Sequence, residues 1–267
     1  MKKLIVTFLS MVFIVIGCGK KEHGNHLDEI KQRGVLKVGM STFVPWAMND
    51  KEGNLVGFEI DVAKEFAKDM DVKVEFVPTK WSGIIPALMT GKFDVIIGGM
   101  GITEERLKKV DFSEPYDNTE MSIVASKIKA PNFKKMSDFD NGKILIAARL
   151  GTTAAEAAKK FFPNAELKLF DDEAQAVQEL LTDRVHAVVA SAPLPEFQAL
   201  KYSDRFYLPF DEPLSGDPIG FALRKGDDSL KEYCNEWIKK RHDDGFLKKV
   251  KHYWFKTRDW ADTVEEE

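Results

Sequence analysis

Cysteine is nearly missing: the 267 residues include 2, one of them at position 18. Cys18 and Cys234 cannot build a disulfide framework, so stability has to come from a packed core. Histidine is scarce too, and the 5 present have no ligand-like spacing, which argues against a metal centre. No excess of positive charge exists. Lys and Arg number 39 against 43 Asp and Glu, scattered without a basic stripe; the net −4 speaks against nucleic acid as a partner. A Gly-x-Ser-x-Gly elbow and a phosphate-cradling P-loop are also absent. The one long apolar run, Leu4–Ile16, is shorter than the roughly 20 residues a membrane helix needs.

That run follows Lys2 and Lys3 and ends at Val15-Ile16-Gly17-Cys18, the layout of a secretory signal. Its end resembles a bacterial lipoprotein signal, which predicts cleavage before Cys18 and a lipid on its sulfur. Residues 1–17 then form the signal peptide, and the polar stretch 18–27 a tether. With 44% hydrophobic residues, the remaining chain can bury a sizeable core.

Short β-branched runs alternate with 3.6-residue patterns along this body, the signature of parallel α/β structure. Val35–Gly39, Val72–Val77 and Phe93–Ile97 read as strands. Between them, Ala63, Phe66, Ala67 and Met70 mark one helix face, and Trp81–Thr90 a second helix closed by Gly91. A second α/β run spans Ile144–Ala190, and helices follow at Ser229–Asp243 and Phe246–Trp254. Extended segments near Met121–Ser126 and Asp217–Leu223 join the two modules. This predicts two lobes with the chain crossing twice: residues 28–122 and 222–267 in lobe 1, residues 123–221 with the hinge segments in lobe 2. Such a body closes around a ligand by hinge motion.

The chemistry concentrates after the third strand, at Gly98, Gly99 and Gly101. Glycine there lets a ligand approach the backbone, and Thr103 opens a helical turn that carries Arg106. Free N–H groups beside a guanidinium fork suit a carboxylate. A second anion-binding turn is expected at Arg149-Leu-Gly-Thr-Thr153, where Thr152 and Thr153 begin an Ala-rich helix. One half-site on each lobe could then grip a single carboxylate. Phe43, Trp46 and Trp81 follow strand ends and are expected to wall in the ligand side chain.

These segments carry a resemblance. Leu55-Val-Gly-Phe-Glu-Ile-Asp-Val-Ala63, Trp81-Ser-Gly-Ile-Ile-Pro-Ala-Leu88, Ile102-Thr-Glu-Glu-Arg106, Val110-Asp-Phe-Ser-Glu-Pro-Tyr116 and Gly151-Thr-Thr153 resemble the amino-acid-binding branch of bacterial extracellular solute-binding proteins, family 3. The match runs in family order from about Leu27 to Trp260. It implies a two-lobed periplasmic-binding-protein-like type II fold with a double-crossover hinge. It also implies a monomer at the periplasmic or extracellular face of the cell envelope that delivers a small carboxylate-bearing solute to the membrane permease of an ABC importer. No catalytic residue, cofactor or metal is expected. Two other roles are known for this scaffold or compatible with it: a dehydratase of the cyclohexadienyl type, and a ligand-sensing lipoprotein.

One departure bears on the ligand. Where the family usually carries an acid for the ligand ammonium, this chain has Ser191. Glu120, Asp172 and Asp217 are the acids expected as substitutes, because an unpaired buried ammonium is costly.

Overall fold

A computed structural model describes residues 25–264. The expected signal peptide, Cys18 and most of the tether lie outside the described residues. The first helix, His26–Arg33, begins inside the stretch read as tether, because the Asn25 side chain accepts the Asp28 N–H and caps it.

Two sheets organise the chain. In the first, the strands run in the order Lys73–Pro78, Val35–Met40, Val95–Ile96, Ala222–Leu223, Asp111–Phe112, and the first three are parallel. The second is ordered Phe206–Tyr207, Asp117–Ser126, Ala187–Ser191, Leu145–Arg149, Glu166–Phe170, the last three again parallel. Asp117–Ser126 carries the chain from the first sheet to the second, and Ser215–Ile219 brings it back. These two segments pair antiparallel, from Asp117 opposite Ile219 to Met121 opposite Ser215. The result is a two-lobed α/β fold with a double crossover.

Local sequence explains the parts that shape the cleft. The helix Phe58–Asp69 buries Ile60, Ala63, Phe66 and Ala67 against the first sheet. Its N-terminus is clamped by the loop before it: the N–H groups of Phe58 and Glu59 donate to the carbonyls of Pro45 and Trp46, at 3.1 and 2.8 Å. Gly57, at φ +131°, makes this junction; a Cβ there would sit 2.5 Å from the Trp46 carbonyl oxygen. The lobe 1 core is strongly aromatic, with Phe58, Phe66, Tyr116, Phe221, Trp237 and Phe255 in one cluster. Lobe 2 packs more thinly, laying Ala154, Ala157 and Ala158 of helix Thr153–Phe161 on its sheet.

Three elements differ from the sequence reading. Phe93–Ile97 is buried throughout, yet only Val95–Ile96 pairs as strand, since Asp94 turns its carboxylate to Arg33, His26 and the Lys37 N–H. A short hairpin joins Met48–Asn49 to Leu55–Val56 around the Asp50–Gly53 turn. The helix Leu194–Lys201 is unanticipated: Pro193 and Pro195 flank its start, and its weak amphipathicity leaves no clear stripe.

Below the first sheet, His26 ties the N-terminal helix to the rest of the lobe. One ring nitrogen meets Asp227 and the other meets Asp94 at 3.1 Å. Burial alone would lower its pKa; the hydrogen bonds to the two carboxylates outweigh that and raise it to about 9, with Arg224 opposing. A raised histidine stabilises the fold fully below its ordinary pKa of 6.5 and loses that contribution as pH rises through about 9. Urea midpoints measured from pH 6 to 10 should therefore fall on the alkaline side. In His26→Gln the wild-type advantage should be largest at pH 6 and gone by pH 10.

Candidate functional site

Between the lobes lies a small cavity, floored by the C-terminal ends of parallel strands from both sheets. Lobe 1 contributes Ser41, Phe43, Trp46, Glu59, Trp81, Gly98, Gly99 and Arg106; lobe 2 contributes Arg149, Thr152, Thr153, Glu173 and Ser191. A larger cavity, about 490 Å³, shares Phe43 and Glu173 with it but is walled by helix sides and the segment Arg258–Val264. The smaller one gathers the strand ends, the glycine loop and a helix N-terminus. Open α/β sheets bind ligands at such strand ends.

Arg106 is 7% exposed. Thr103 caps its short helix, accepting the Arg106 N–H at 3.3 Å, and this aims the guanidinium inward. Its Nη1 donates to the Gly101 carbonyl at 2.9 Å, and its Nη2 crosses the cleft to the Gly151 carbonyl at 3.1 Å. Those bonds occupy two of the five N–H donors an arginine carries, so donors remain for an anion. Burial pulls the Arg106 pKa down, while Glu156 and Asp217 oppose the shift.

The three glycines have three different roles. Gly99 adopts φ +67°, and an added Cβ would lie 2.9 Å from the Trp46 ring; its N–H donates to the Tyr116 hydroxyl at 3.2 Å. Gly101 lends its carbonyl to Arg106 and leaves only 3.3 Å between an added Cβ and the Thr153 methyl. It does not line the cavity. Gly98 does line it, and a Cβ there would meet Trp81 at an ordinary 3.7 Å.

Across the cleft, Thr152 caps helix Thr153–Phe161, accepting the Ala155 N–H, while its hydroxyl donates to the Arg149 carbonyl at 2.7 Å. Thr153 opens the helix, where backbone N–H groups lack intrahelical partners and the dipole favours an anion. Arg149 does not add a free cation. Its guanidinium pairs with Glu173 at 3.1 Å and donates to Ser41, to the Thr42 carbonyl and to the Asp171 carbonyl. Ser41 and Thr42 belong to lobe 1, so Arg149 fastens one lobe to the other. Two indoles do the same: Trp81 Nε1 donates to the Gly151 carbonyl at 3.1 Å, and Trp46 Nε1 to the Ala192 carbonyl at 3.2 Å. Arg106 and Arg149 both lie against the Trp81 ring, 5.8 and 5.7 Å from its centroid. Phe43 stacks on Trp46 with centroids 6.0 Å apart.

The ammonium candidates are placed unevenly. Ser191 lines the cavity with its hydroxyl 3.4 Å from the Met121 sulfur. Glu120 is exposed. Asp172 caps helix Glu173–Leu181 and faces the larger cavity, and Asp217 lies half-buried beyond Gly101. None of these three acids lines the smaller cavity. Glu59 and Glu173 line it instead. Burial raises Glu59 to about 8 and Glu173 to about 7, the latter against the pull of Arg149. Sequence reasoning missed both, because an acid in a helix's first turn reads equally well as a partner of the helix dipole. His186 is not part of the site; its Nδ1 accepts the Leu145 N–H at 3.0 Å. Among the described residues no group of three or more His, Cys, Asp or Glu could hold a metal, and no helix is long and apolar enough to cross a membrane.

Comparison with known proteins agrees with this architecture. Residues 36–257 match the family described as bacterial extracellular solute-binding proteins, family 3. The L-cystine-binding protein TcyJ of Escherichia coli is 30% identical over 91% of this chain and 92% of its own length. Among solved structures, the ancestral amino acid-binding protein AncCDT-1, a precursor of cyclohexadienyl dehydratase, is 42% identical with a TM-score of 0.78, covering 86% of this chain and 99% of that one. A binding component of an ABC transporter from Wolinella succinogenes, solved with lysine, is 37% identical with a TM-score of 0.80 at the same coverage, 86% and 99%.

The glycine geometry gives a direct test. Gly99→Ala must tolerate both a positive φ and the Trp46 ring, and should lose about 1–3 kcal/mol in chemical unfolding. Gly98→Ala, with neither constraint, should stay within about 0.5 kcal/mol of wild type.

Proposed function

This chain belongs to the bacterial extracellular solute-binding proteins, family 3, and from that membership we propose that it captures an amino acid or close analogue for an ATP-driven importer. The observation that carries the reading is Arg106: a buried guanidinium with donors to spare, facing the N-terminus of helix Thr153–Phe161 across an interlobe cavity. An anion held there touches both lobes, so its binding favours their closure. In this reading the ligand carboxylate sits between Arg106, the Gly98 backbone and the Thr152–Thr153 turn. Phe43, Trp46 and Trp81 enclose the side chain. One relative is named for binding L-cystine and another was solved with lysine, both molecules that carry a carboxylate.

The captured solute passes to a membrane permease. We take the protein to act as a monomer held at the membrane by a lipid on Cys18, after removal of residues 1–17. Binding rather than catalysis is the activity we assign, in keeping with relatives described as binding proteins, among them the amino acid-binding precursor of a dehydratase.

A thermal-shift screen against the amino acids and their deaminated analogues tests this. A ligand at 100 times its Kd should add about 2.7 kcal/mol, which is roughly 5–10 °C for a chain of this size. Arg106→Ala should abolish the shift. An undiminished shift in that variant would overturn the carboxylate assignment, and turnover of a cyclohexadienyl substrate would overturn the non-enzymatic reading.

A further inference from the structure

The cavity contains a carboxyl group that the rest of the protein only half satisfies. Glu59 is 1% exposed and held in the first turn of helix Phe58–Asp69 by its N–H bond to the Trp46 carbonyl. Its Oε1 accepts the Tyr116 hydroxyl proton at 2.7 Å, and the Tyr116 oxygen accepts the Gly99 N–H at 3.2 Å. The Gly99 N–H can only donate to the phenol oxygen, and the phenol gives its own proton to Glu59, so the chain runs Gly99 to Tyr116, Tyr116 to Glu59. The relay delivers a donor to one oxygen. The other, Oε2, is buried and has no hydrogen-bond partner among the described residues.

Among the described residues no cation pairs with Glu59. Arg106 holds the Gly101 and Gly151 carbonyls, Arg149 pairs with Glu173, and Lys251 pairs with Asp117. Asp117 adds a like charge nearby, and with burial this favours the protonated form of Glu59. Ser191 cannot substitute as an anion, since it carries no charge. A buried acid with one lone-pair face unmet, lining the same cavity as the Arg106 guanidinium, complements a ligand with a positive nitrogen and a carboxylate.

We propose that Glu59 Oε2 receives a cationic nitrogen of the bound solute, with Tyr116 and Gly99 fixing the carboxylate in place. The inference rests on the amino-acid capture described above and names the group that reads the ligand's positive charge. Binding ionises Glu59, so a proton leaves the site as the ligand enters. That release is a signature that a merely structural acid lacks.

Isothermal titration of the full chain at pH 7, in two buffers of different ionisation enthalpy, tests it with three probes: L-lysine, L-norleucine and 6-aminohexanoate. Norleucine lacks the side-chain ammonium of lysine, and 6-aminohexanoate lacks the α-ammonium. Wild type should bind L-lysine with release of close to one proton. Glu59→Gln preserves shape and should keep the melting temperature, yet weaken L-lysine binding at least tenfold and release no proton. Tyr116→Phe should weaken it by a smaller factor. Parallel loss for norleucine assigns the contact to the α-ammonium, and parallel loss for 6-aminohexanoate assigns it to the side chain. If Glu59→Gln binds L-lysine within twofold of wild type with the same proton release, the proposal fails while amino-acid capture stands. If none of the three probes binds wild type while another amino acid does in the thermal-shift screen, the proposal fails and amino-acid capture stands; if no amino acid binds at all, both fail.

Discussion

A guanidinium taken out of water has to be given acceptors, and the structure of the cleft follows from how Arg106 is supplied. Its Gly101 acceptor comes from its own loop, whereas its Gly151 acceptor comes from the other lobe. The same Gly151 carbonyl also accepts from the Trp81 indole. One backbone oxygen of lobe 2 thus serves two side chains of lobe 1, and the turn at Gly151 has to be presented with its carbonyl outward. Its φ of +76° allows that presentation.

Around this contact the interlobe surface is mostly polar and locally complementary. Arg149 reaches Ser41 and Thr42, Lys80 meets Asp171, and Trp46 donates to the Ala192 carbonyl. Single hydrogen bonds of this kind contribute about 1 kcal/mol each, so a set of them holds the lobes together without fusing them. Each lobe has its own hydrophobic core, one largely aromatic and one rich in alanine, and only a few side chains such as Phe43 and Phe197 pack across the seam. Such a division lets the lobes move as bodies while the paired segments Asp117–Met121 and Ser215–Ile219 keep them in register.

Inside the cleft, low dielectric sharpens the contrast between charges that are met and charges that are not. Burial raises both carboxyls; Glu173 has the Arg149 guanidinium to oppose the shift, whereas Glu59 has the neutral donors Tyr116 and Gly99. The two acids are therefore not equivalent, although both sit in the first turn of a helix and line the same cavity. Glu173 is tied to Arg149 within lobe 2, whereas Glu59 leaves one oxygen without a partner among the described residues.

The alternation of β-branched runs with 3.6-residue stripes is enough to give two α/β modules, because burial on a sheet or helix face imposes those periods locally. Arg106 and the Gly98–Gly101 turn are visible for a similar reason: cap, glycines and arginine fall within a few neighbouring residues. The Leu194–Lys201 helix is not, since its prolines and weak stripe leave packing to decide it. Glu59 depends on tertiary structure altogether. Its environment is made by Tyr116, 57 residues away, and by the loop carrying Trp46, and nothing in its own neighbourhood separates a buried cavity acid from a surface one. Arg149 shows the converse: its place beside Thr152 and Thr153 suggests a free anion-binding group, but four protein acceptors, two of them in the opposite lobe, already engage it. Local periodicity and capping determined the fold and half the site. Which charges stay unpaired was decided only when distant segments met, because pairing is a property of neighbours in space.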